Sequence, residues 1–373
     1  MKNSVICKVL CAALVLPVCL AAAPKRGVVE EFKPEQIDLR NKYVSVSIAP
    51  AALGRVVSVK LNATGAEMLN PTRLTRLWMS PLHEIRGDNF QGIRELFWRG
   101  TVNGSIAMQV VKKTPESITL HSKSYGASCF EMSRTISLLP EGSGFVWETT
   151  LTNRSAKKEI CNLWYNFQGA TPALARIPVA GGKHPVRGKG TADYPRDFMF
   201  THGVGEYFLP PGADFAGFVE PETKAVWVAV FPHEELSPDG LFYSWGNRSP
   251  NSIRTAEPVL KSRTLNPGEK VVSKMTILVF NALDDFSGIV GSSAFEFRRS
   301  GGKLLVRISN AVPRPAENLE IVINGKEKFS FDLPARKTAT LIEKQLDYSG
   351  IPETGFVKLG KDQGKLFFPL PEK

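Results

Sequence analysis

Apolar and polar residues alternate with a period of two through most of the chain. In Tyr43–Ile48, Val44, Val46 and Ile48 would share one side of a strand. This is the period of a β-strand, whose successive side chains point to opposite faces. Similar or β-branched runs are Arg55–Leu61, Ile106–Val111, Ser117–Ser122, Phe130–Leu139, Phe145–Thr152, Glu159–Phe167, Ala225–Phe231 and Val271–Phe280. Turn residues separate the runs and helical periodicity is scarce, so the sequence predicts an all-β fold, a large antiparallel sandwich.

The pattern breaks around Ala282–Ser293, and a second series of strands follows. Its members are Leu304–Ile308, Leu319–Ile323, Phe329–Phe331 and Thr338–Ile342. This series is long enough for a small β-sandwich of its own. We therefore expect a large domain over residues 28–283 and a small accessory β-sandwich over residues 284–373.

The chain begins with the three parts of an export signal. Two lysines precede the apolar run Val9–Leu20, and the small residues Ala21–Ala23 follow it. The apolar run is too short to span a bilayer, which takes about 20 residues. We expect residues 1–22 to be a signal peptide and the mature protein to be periplasmic or extracellular, with no membrane span. A lipid anchor on Cys19 is the competing interpretation.

Basic residues outnumber acidic ones and are scattered along the chain. The formal net charge is +11, and loss of Lys2 and Lys8 with the signal peptide leaves +9. Because no helix concentrates these charges, a nucleic-acid partner is not expected. An exported basic protein can instead bind acidic polysaccharide or the anionic cell surface. A merely solvated surface is the other interpretation.

Two cysteines, Cys129 and Cys161, remain after removal of the signal peptide. An even number in an oxidising compartment, on segments predicted as neighbouring strands, is compatible with a disulfide. Two separate buried thiols are the alternative.

Between Gly169 and Phe218 the strand signal lapses. Long loops without secondary structure are uncommon inside compact domains and are usually functional or mobile. The segment contains Lys183, His184, Arg187, Lys189, Asp193, Tyr194, Arg196, Asp197, His202 and Tyr207. It is expected to be either one wall of a ligand cleft or a flexible loop.

Familiar catalytic and cofactor motifs are not found. The five histidines are far apart, and no H-x-x-x-H or C-x-x-C spacing suggests zinc. Gly203-Val204-Gly205 has no third glycine of a dinucleotide loop, and neither a phosphate-binding loop nor a G-x-S-x-G elbow occurs. No cofactor and no metal are therefore expected.

Four groups of residues, in order along the chain, carry a more specific signal. They are Asn41–Pro50 with Gly54–Val56 and Thr64–Leu69, then Gly144–Ser155, then Asn162–Phe167, then Thr255–Pro258 with Leu265–Glu269. Together they resemble the galactose-mutarotase-like β-supersandwich, the fold of aldose 1-epimerases and of domains in many carbohydrate-active enzymes. The resemblance covers about residues 36–283 and implies a large antiparallel β-supersandwich with a carbohydrate ligand.

The resemblance also implies candidate catalytic residues. In an epimerase a Glu removes the proton of the anomeric hydroxyl while a His protonates the ring oxygen. Glu257 matches the base by its motif, although its spacing to the following Pro-Gly-Glu turn is shorter than in sugar epimerases. Where the family has its His, this chain has Asn162, which supplies no proton at neutral pH. His202 and His233 are the candidate acids in its place.

The candidate sugar contacts are residues of the matching segments together with nearby polar and aromatic residues. They are Asn162, Trp164, Asn166, His83, Arg86 and Trp245. An indole can stack on the apolar face of a pyranose, and burial in the core is the competing explanation for each Trp. The expected function is a secreted carbohydrate-binding protein without ordinary mutarotase activity. The alternatives are a carbohydrate-active enzyme (an epimerase, hydrolase or lyase) with Glu257 as base, and a structural envelope protein.

Overall fold

The computed structural model describes most of the chain after its first thirty residues. The described residues are 31–32, 35–69, 77–79, 85–86, 92–97, 107–123, 129–161, 163–169, 173–186, 190–201, 205–236, 240–246 and 254–370, with only the backbone given at 31–32, 77–79, 85–86, 92, 94–97 and 186. The predicted signal peptide lies outside them. Within these ranges, no helix has the length and apolar character needed to cross a membrane.

Nearly all secondary structure is β-strand. The strands before residue 200 are β1 Glu31–Phe32, β2 Ile37–Arg40, β3 Val44–Ala49, β4 Arg55–Leu61, β5 Ala66–Glu67, β6 Leu77–Met79, β7 Ile85–Arg86, β8 Gly92–Phe97, β9 Gln109–Lys113, β10 Ser117–Ser122, β11 Phe130–Leu138, β12 Gly144–Asn153, β13 Glu159–Cys161, β14 Leu163–Gln168, β15 Leu174–Val179, β16 Gly182–Val186, β17 Gly190–Tyr194 and β18 Phe198–Thr201. The later elements are β19 Gly205–Leu209, β20 Phe215–Glu220, β21 Ala225–Val230, α1 His233–Leu236, β22 Leu241–Gly246, β23 Glu257–Val259, β24 Arg263–Leu265, β25 Lys270–Phe280, β26 Gly288–Val290, β27 Ser293–Ser300, β28 Lys303–Asn310, β29 Glu317–Ile323, β30 Glu327–Leu333, β31 Leu341–Leu346, β32 Thr354–Leu359 and β33 Asp362–Phe367.

Two large antiparallel sheets form the first part of the fold. Sheet 1 has the order β18-β15-β20-β21-β25-β12-β11-β10-β9, and sheet 2 has the order β19-β22-β23-β14-β8-β4-β3-β2 with β5 paired to β4. Tyr165 and Phe167 of sheet 2 pack against Phe231 and Trp227 at β21 of sheet 1. The alternating sequence therefore gives two layers around an apolar core. The predicted all-β class, a large antiparallel sandwich followed by a smaller one, is confirmed.

A buried arginine joins the two layers. Arg134 is fully buried on β11, and its Nη1 donates hydrogen bonds of 2.7 Å to the carbonyl oxygens of Leu53 and Gly54. Its guanidinium lies 4.7 Å from the centre of the Trp147 ring, a cation–π contact. A Cβ on Gly54 would lie 2.7 Å from Arg134 Nη1, and its φ of +61° also favours glycine. The turn after β3 is thus held to sheet 1.

The segment between Gly169 and Phe218 is not a long loop, contrary to the expectation. It contains β15 and β18, which extend sheet 1, β19, which extends sheet 2, and the hairpin β16–β17. The alternation is hard to detect because β15 is buried along most of its length and includes Pro178. A strand buried on both faces does not alternate.

The strands from β26 onward form two four-stranded sheets. One has the order β26-β27-β28-β31 and the other the order β30-β29-β32-β33. Between them lies a separate apolar cluster that includes Phe295, Val306, Ile321 and Val357. We call these strands the C-terminal unit. The boundary predicted at residue 284 stays a prediction.

The C-terminal unit is packed on the outer side of sheet 1, and we call this contact the seam. Val226, Val228, Leu278 and Phe280 of sheet 1 belong to one buried cluster with residues of the C-terminal unit such as Phe367. These side chains alternate with inward residues of β21 and β25, so they lie on the outer face.

Polar contacts also hold the seam. Arg176 binds both carboxylate oxygens of Asp285, with distances of 2.8 and 2.9 Å from its Nε and Nη2. Lys365 Nζ lies 2.9 Å from Asp197 Oδ2. Since a bidentate guanidinium–carboxylate pair restricts orientation as well as distance, the segment leading into the C-terminal unit is fixed on sheet 1.

Cys129 and Cys161 are free thiols, so of the two alternatives left open by the sequence the structure has separate thiols. Cys161 is buried at the end of β13, and burial raises the pKa of its thiol to about 12. Burial also raises the pKa of Cys129. Both groups are therefore kept protonated at neutral pH, and a protonated thiol is a poor nucleophile for disulfide formation.

Candidate functional site

The site is defined by strand register around Glu257. In β23, Glu257 lies directly opposite Tyr243 of β22. On the other side of β23, Val259 lies opposite Trp164 of β14, and Thr255 forms a bridge with Gln168. Both pairs have the same register, which places Asn166 opposite Glu257. Residues directly opposite each other in antiparallel strands share a face, so these side chains form one array.

The array continues to the edge of sheet 2. Phe208 of β19 lies opposite Tyr243, and Glu206 lies opposite Trp245. Three rows of side chains therefore cross the sheet, two of them over four strands and the row of Trp164 over three, with Glu257 in the middle row. We call this array the Glu257 face. It comprises Trp164, Asn166, Gln168, Glu206, Phe208, Leu241, Tyr243, Trp245, Thr255, Glu257 and Val259.

The Glu257 face is the outer side of sheet 2. The alternate residues Tyr165, Phe167 and Phe242 are fully buried in the core between the sheets. Trp245 is 39% exposed, whereas Glu257 is only 2% exposed. The array thus has a buried polar centre and an exposed aromatic rim.

Aromatic side chains surround the centre of the face. Tyr243 contacts Trp164 edge to face at 5.9 Å between ring centres, and Phe208 at 5.3 Å. Such edge contacts contribute about 0.5–1.5 kcal/mol beyond burial. Because Tyr243 is held by a ring on either side, its side chain has a defined position on the face.

Polar contacts fix the remaining groups. Tyr243 Oη donates to Glu206 Oε1 at 3.1 Å. Gln168 Nε2 donates to Asn166 Oδ1 at 3.4 Å, and the Trp245 backbone N–H donates to Thr255 Oγ1 at 2.9 Å. These bonds orient the two carboxamides and the end of β22 before any ligand binds.

Tyr243 lies between two carboxylates, and its titration reflects this. Burial, the negative charges of Glu206 and Glu257, and the hydrogen bond to Glu206 raise the pKa of Tyr243 well above its ordinary value. The charged phenolate is disfavoured by all of these causes. Tyr243 is therefore a neutral hydrogen-bonding group at physiological pH.

The structure brings four of the sequence candidates together and leaves the others apart or untested. Glu257, Trp164, Asn166 and Trp245 are on the Glu257 face. The candidates Asn162, His202 and His83 lie outside the described residues. Arg86 is described by its backbone alone, in the three-stranded sheet β1-β6-β7.

His233, a candidate acid, is exposed at the start of α1. Its electrostatic interaction is with Asp214, just before β20 of sheet 1. Burial raises the pKa of Asp214, and the charge of His233 opposes that rise. In the described structure, nothing pairs His233 with Glu257.

Sequence reasoning did not select Tyr243, Glu206 or Phe208 as site residues. Tyr243 belongs to the run Phe242-Tyr243-Ser244-Trp245, in which every second residue is aromatic or large and the outward ones are Tyr243 and Trp245. That alternation is a signal in the sequence from which Tyr243 can be predicted to share a face with Trp245. The contribution of β19 depends on a pairing that is not apparent in the sequence.

A metal centre is not indicated by the side chains that the structure describes. No three His, Cys, Asp or Glu residues among them are grouped closely enough to hold an ion. The chemistry of the Glu257 face is that of hydrogen bonding to hydroxyl groups and stacking on flat apolar surfaces.

Comparison with known proteins finds similarity in fold but not in sequence. No family model matches the chain, and no curated protein matches it in sequence. Among solved structures it is similar to the Slr1438 protein from Synechocystis sp. PCC 6803, with 12% identity, a TM-score of 0.51, and coverage of 67% of this chain and 96% of that one.

Two further solved structures are similar to this chain over nearly their whole length. A galactose mutarotase-like protein from Lactobacillus casei has 15% identity and a TM-score of 0.49 over 66% of this chain and all of that one. A galactose mutarotase related enzyme from Lactobacillus acidophilus has 11% identity and a TM-score of 0.48, covering 67% and 99%. The similarity is one of fold alone, and it agrees with the fold that the sequence resemblance predicts.

Proposed function

We propose that this chain is an exported carbohydrate-binding protein whose sugar lies on the Glu257 face. One observation carries the proposal. Strand register places the carboxylate of Glu257 between a phenol, Tyr243, and a carboxamide, Asn166, with Trp164 and Trp245 at two corners of the same array. The galactose-mutarotase-like fold supports a carbohydrate-related protein.

The groups of this face suit a sugar. Carboxylate and carboxamide oxygens accept hydrogen bonds from hydroxyl groups, and carboxamides also donate them. The flat indoles of Trp164 and Trp245 offer stacking surfaces for the apolar side of a pyranose. Because the polar groups at the centre are buried, leaving one unsatisfied in a complex costs about 1–3 kcal/mol, which gives selectivity among sugars.

Binding is favoured over mutarotation. The described residues of the Glu257 face include no histidine, and Tyr243 holds its proton too tightly to be an efficient acid near neutral pH. Among its described residues, the face therefore offers a base without a matched acid.

The ligand is proposed to be a neutral carbohydrate. The charged side chains described on the face are Glu206 and Glu257, both acidic. They would repel the carboxylates or sulfates of an acidic polysaccharide. The net positive charge of the chain is then a general surface property rather than the basis of recognition. Export to the periplasm or beyond is proposed from the signal-like residues 1–22.

A glycan array followed by calorimetry tests this function. We expect the mature protein to bind neutral glycans, and Glu257→Gln to weaken binding about tenfold or more, since a hydrogen bond to a charged group contributes about 1.5–3 kcal/mol. Glu320→Gln is the matched control, because Glu320 lies in the C-terminal unit, paired with Lys328. Unchanged affinity of the Glu257 variant for every glycan bound would contradict the proposal.

A further inference from the structure

The two tryptophans occupy opposite corners of the Glu257 face. Trp245 lies opposite the position of Thr255, four residues before Val259, which lies opposite Trp164. Their strands, β22 and β14, flank β23 on either side. Since neighbouring strands lie about 4.8 Å apart and a strand rises about 3.4 Å per residue, the two Cα atoms are roughly 17 Å apart.

Glu257 lies on the line between these tryptophans. It is midway between Thr255 and Val259 on the central strand, so the diagonal from Trp245 to Trp164 passes over it. The groups beside this line are Tyr243 and Asn166. The diagonal therefore offers an indole, then a hydrogen-bonding centre, then a second indole.

A single sugar ring is much shorter than this diagonal. A ring that stacks on the Trp164 indole lies beside Tyr243, because those two side chains are in edge contact, whereas Trp245 is two residues further along β22. A linear chain of sugars reaches all three places, with a separate ring on each. We propose, on the basis of the function proposed above, that the Glu257 face binds an oligosaccharide chain lying diagonally across the strands from Trp245 to Trp164.

The two indoles differ in their surroundings, and this difference gives them different roles in binding a sugar chain. Trp164 is partly buried and is packed against the ring of Tyr243, so it belongs to the fixed inner part of the site. Trp245 is 39% exposed at the rim, next to Glu206 of the edge strand. Trp245 is thus the outer platform, which only a chain long enough to leave the centre can reach.

The test is the dependence of affinity on chain length. The glycan found best on the array is used as a series from the monosaccharide to the hexasaccharide, with binding measured by calorimetry. For the wild-type protein we expect affinity to rise with length and then level off. For Trp245→Ala we expect the gain in affinity from the monosaccharide to the hexasaccharide to fall about tenfold, as lost stacking of an aromatic pair predicts.

Two matched variants sharpen the result. Trp245→Phe keeps a flat apolar ring and should retain most of the length-dependent gain. Phe356→Ala removes an aromatic side chain of nearly equal exposure, 38%, from the C-terminal unit and should bind every chain length like the wild type.

The outcomes distinguish failure of the chain-binding inference from failure of the proposed carbohydrate binding. Equal affinity for the monosaccharide and the hexasaccharide overturns the chain-binding inference and leaves carbohydrate binding intact. The same holds if Trp245→Ala matches the wild type at every length. Absence of binding to any glycan overturns both.

Discussion

Tyr243 lies directly opposite Glu257 across the β22–β23 pair, while its hydroxyl donates to Glu206 Oε1 at 3.1 Å. One phenol thus lies between two carboxylates that are far apart in the chain. The phenol stays protonated at neutral pH, because burial and both carboxylates disfavour the phenolate. The arrangement predicts energetic coupling between Tyr243 and Glu206.

A double-mutant cycle measures that coupling. We expect Tyr243→Phe and Glu206→Gln each to destabilise the protein slightly, and their combination to cost less than the sum, with a coupling of about 0.5–1.5 kcal/mol. Urea unfolding of the four proteins gives the value. Strict additivity would show that the hydrogen bond adds nothing to stability. Tyr348→Phe in the C-terminal unit serves as a control for loss of a phenolic hydroxyl.

The turn after β3 should not tolerate a side chain at Gly54. Gly54→Ala combines a φ of +61° with a Cβ 2.7 Å from Arg134 Nη1, Leu120 Cδ1 and Met108 Sδ. We expect a loss of about 3 kcal/mol or more, because strain and overpacking add. Gly65→Ala is the matched control, with a φ of +72° and open space around its Cβ, and should cost about 1 kcal/mol. Equal losses in urea unfolding would refute the packing role of Arg134.

The acid stability of the C-terminal unit should depend on Glu317. Burial by itself would raise the pKa of Glu317, but hydrogen bonds and charges from Arg314 and Arg336 outweigh it and lower the pKa. A carboxyl with a lowered folded pKa contributes stability above its unfolded pKa, and this contribution disappears as the pH falls through the folded value.

Thermal unfolding between pH 7 and pH 3 tests this dependence. Near neutrality Glu317→Gln should cost about 3 kcal/mol, because it leaves buried arginine charge without its partner. The difference from the wild type should shrink below about pH 4, where the unfolded carboxyl is protonated. Glu320→Gln, which removes an exposed ion pair with Lys328, should show little effect at any pH. A constant difference for Glu317→Gln across the range would contradict the argument.

Thiol reactivity gives an independent check of the cysteines. We expect two titratable thiols in the unfolded protein without reductant, since Cys129 and Cys161 are free. In the native protein Cys161 should react only as fast as the protein opens, because burial raises its pKa to about 12. Cys129→Ser and Cys161→Ser assign the two rates. Failure to detect thiols in the unfolded protein would restore the disulfide predicted from the sequence.

The sequence predicts which residues form strands better than it predicts which strands pair with one another. Ser117–Ser122 is a strand with the bounds expected from alternation, and Arg55–Leu61 is a strand with the bounds expected from its β-branched residues. Alternation reports which face of a strand is buried, and the buried face is a local property. Between Gly169 and Phe218 the sequence does not predict strands, and β15 in that segment shows no alternation because it is buried along most of its length.

The candidate site likewise combines residues that local motifs identify with residues that only strand pairing brings in. Glu257, Trp164 and Asn166 were chosen from their motifs, and the structure places them side by side. Tyr243 and Glu206 join them only through the pairing of β19, β22 and β23. Such pairing depends on the register of strands distant in sequence, which a single sequence does not specify.

The seam decides how the protein can be presented to its surroundings. It covers the outer side of sheet 1, whereas Trp245 and Glu257 belong to the outer side of sheet 2. The C-terminal unit and the Glu257 face are therefore on opposite sides of the large sandwich. If the chain is tethered to a surface through residues of the C-terminal unit, the Glu257 face points away from that surface and stays open to long polymers.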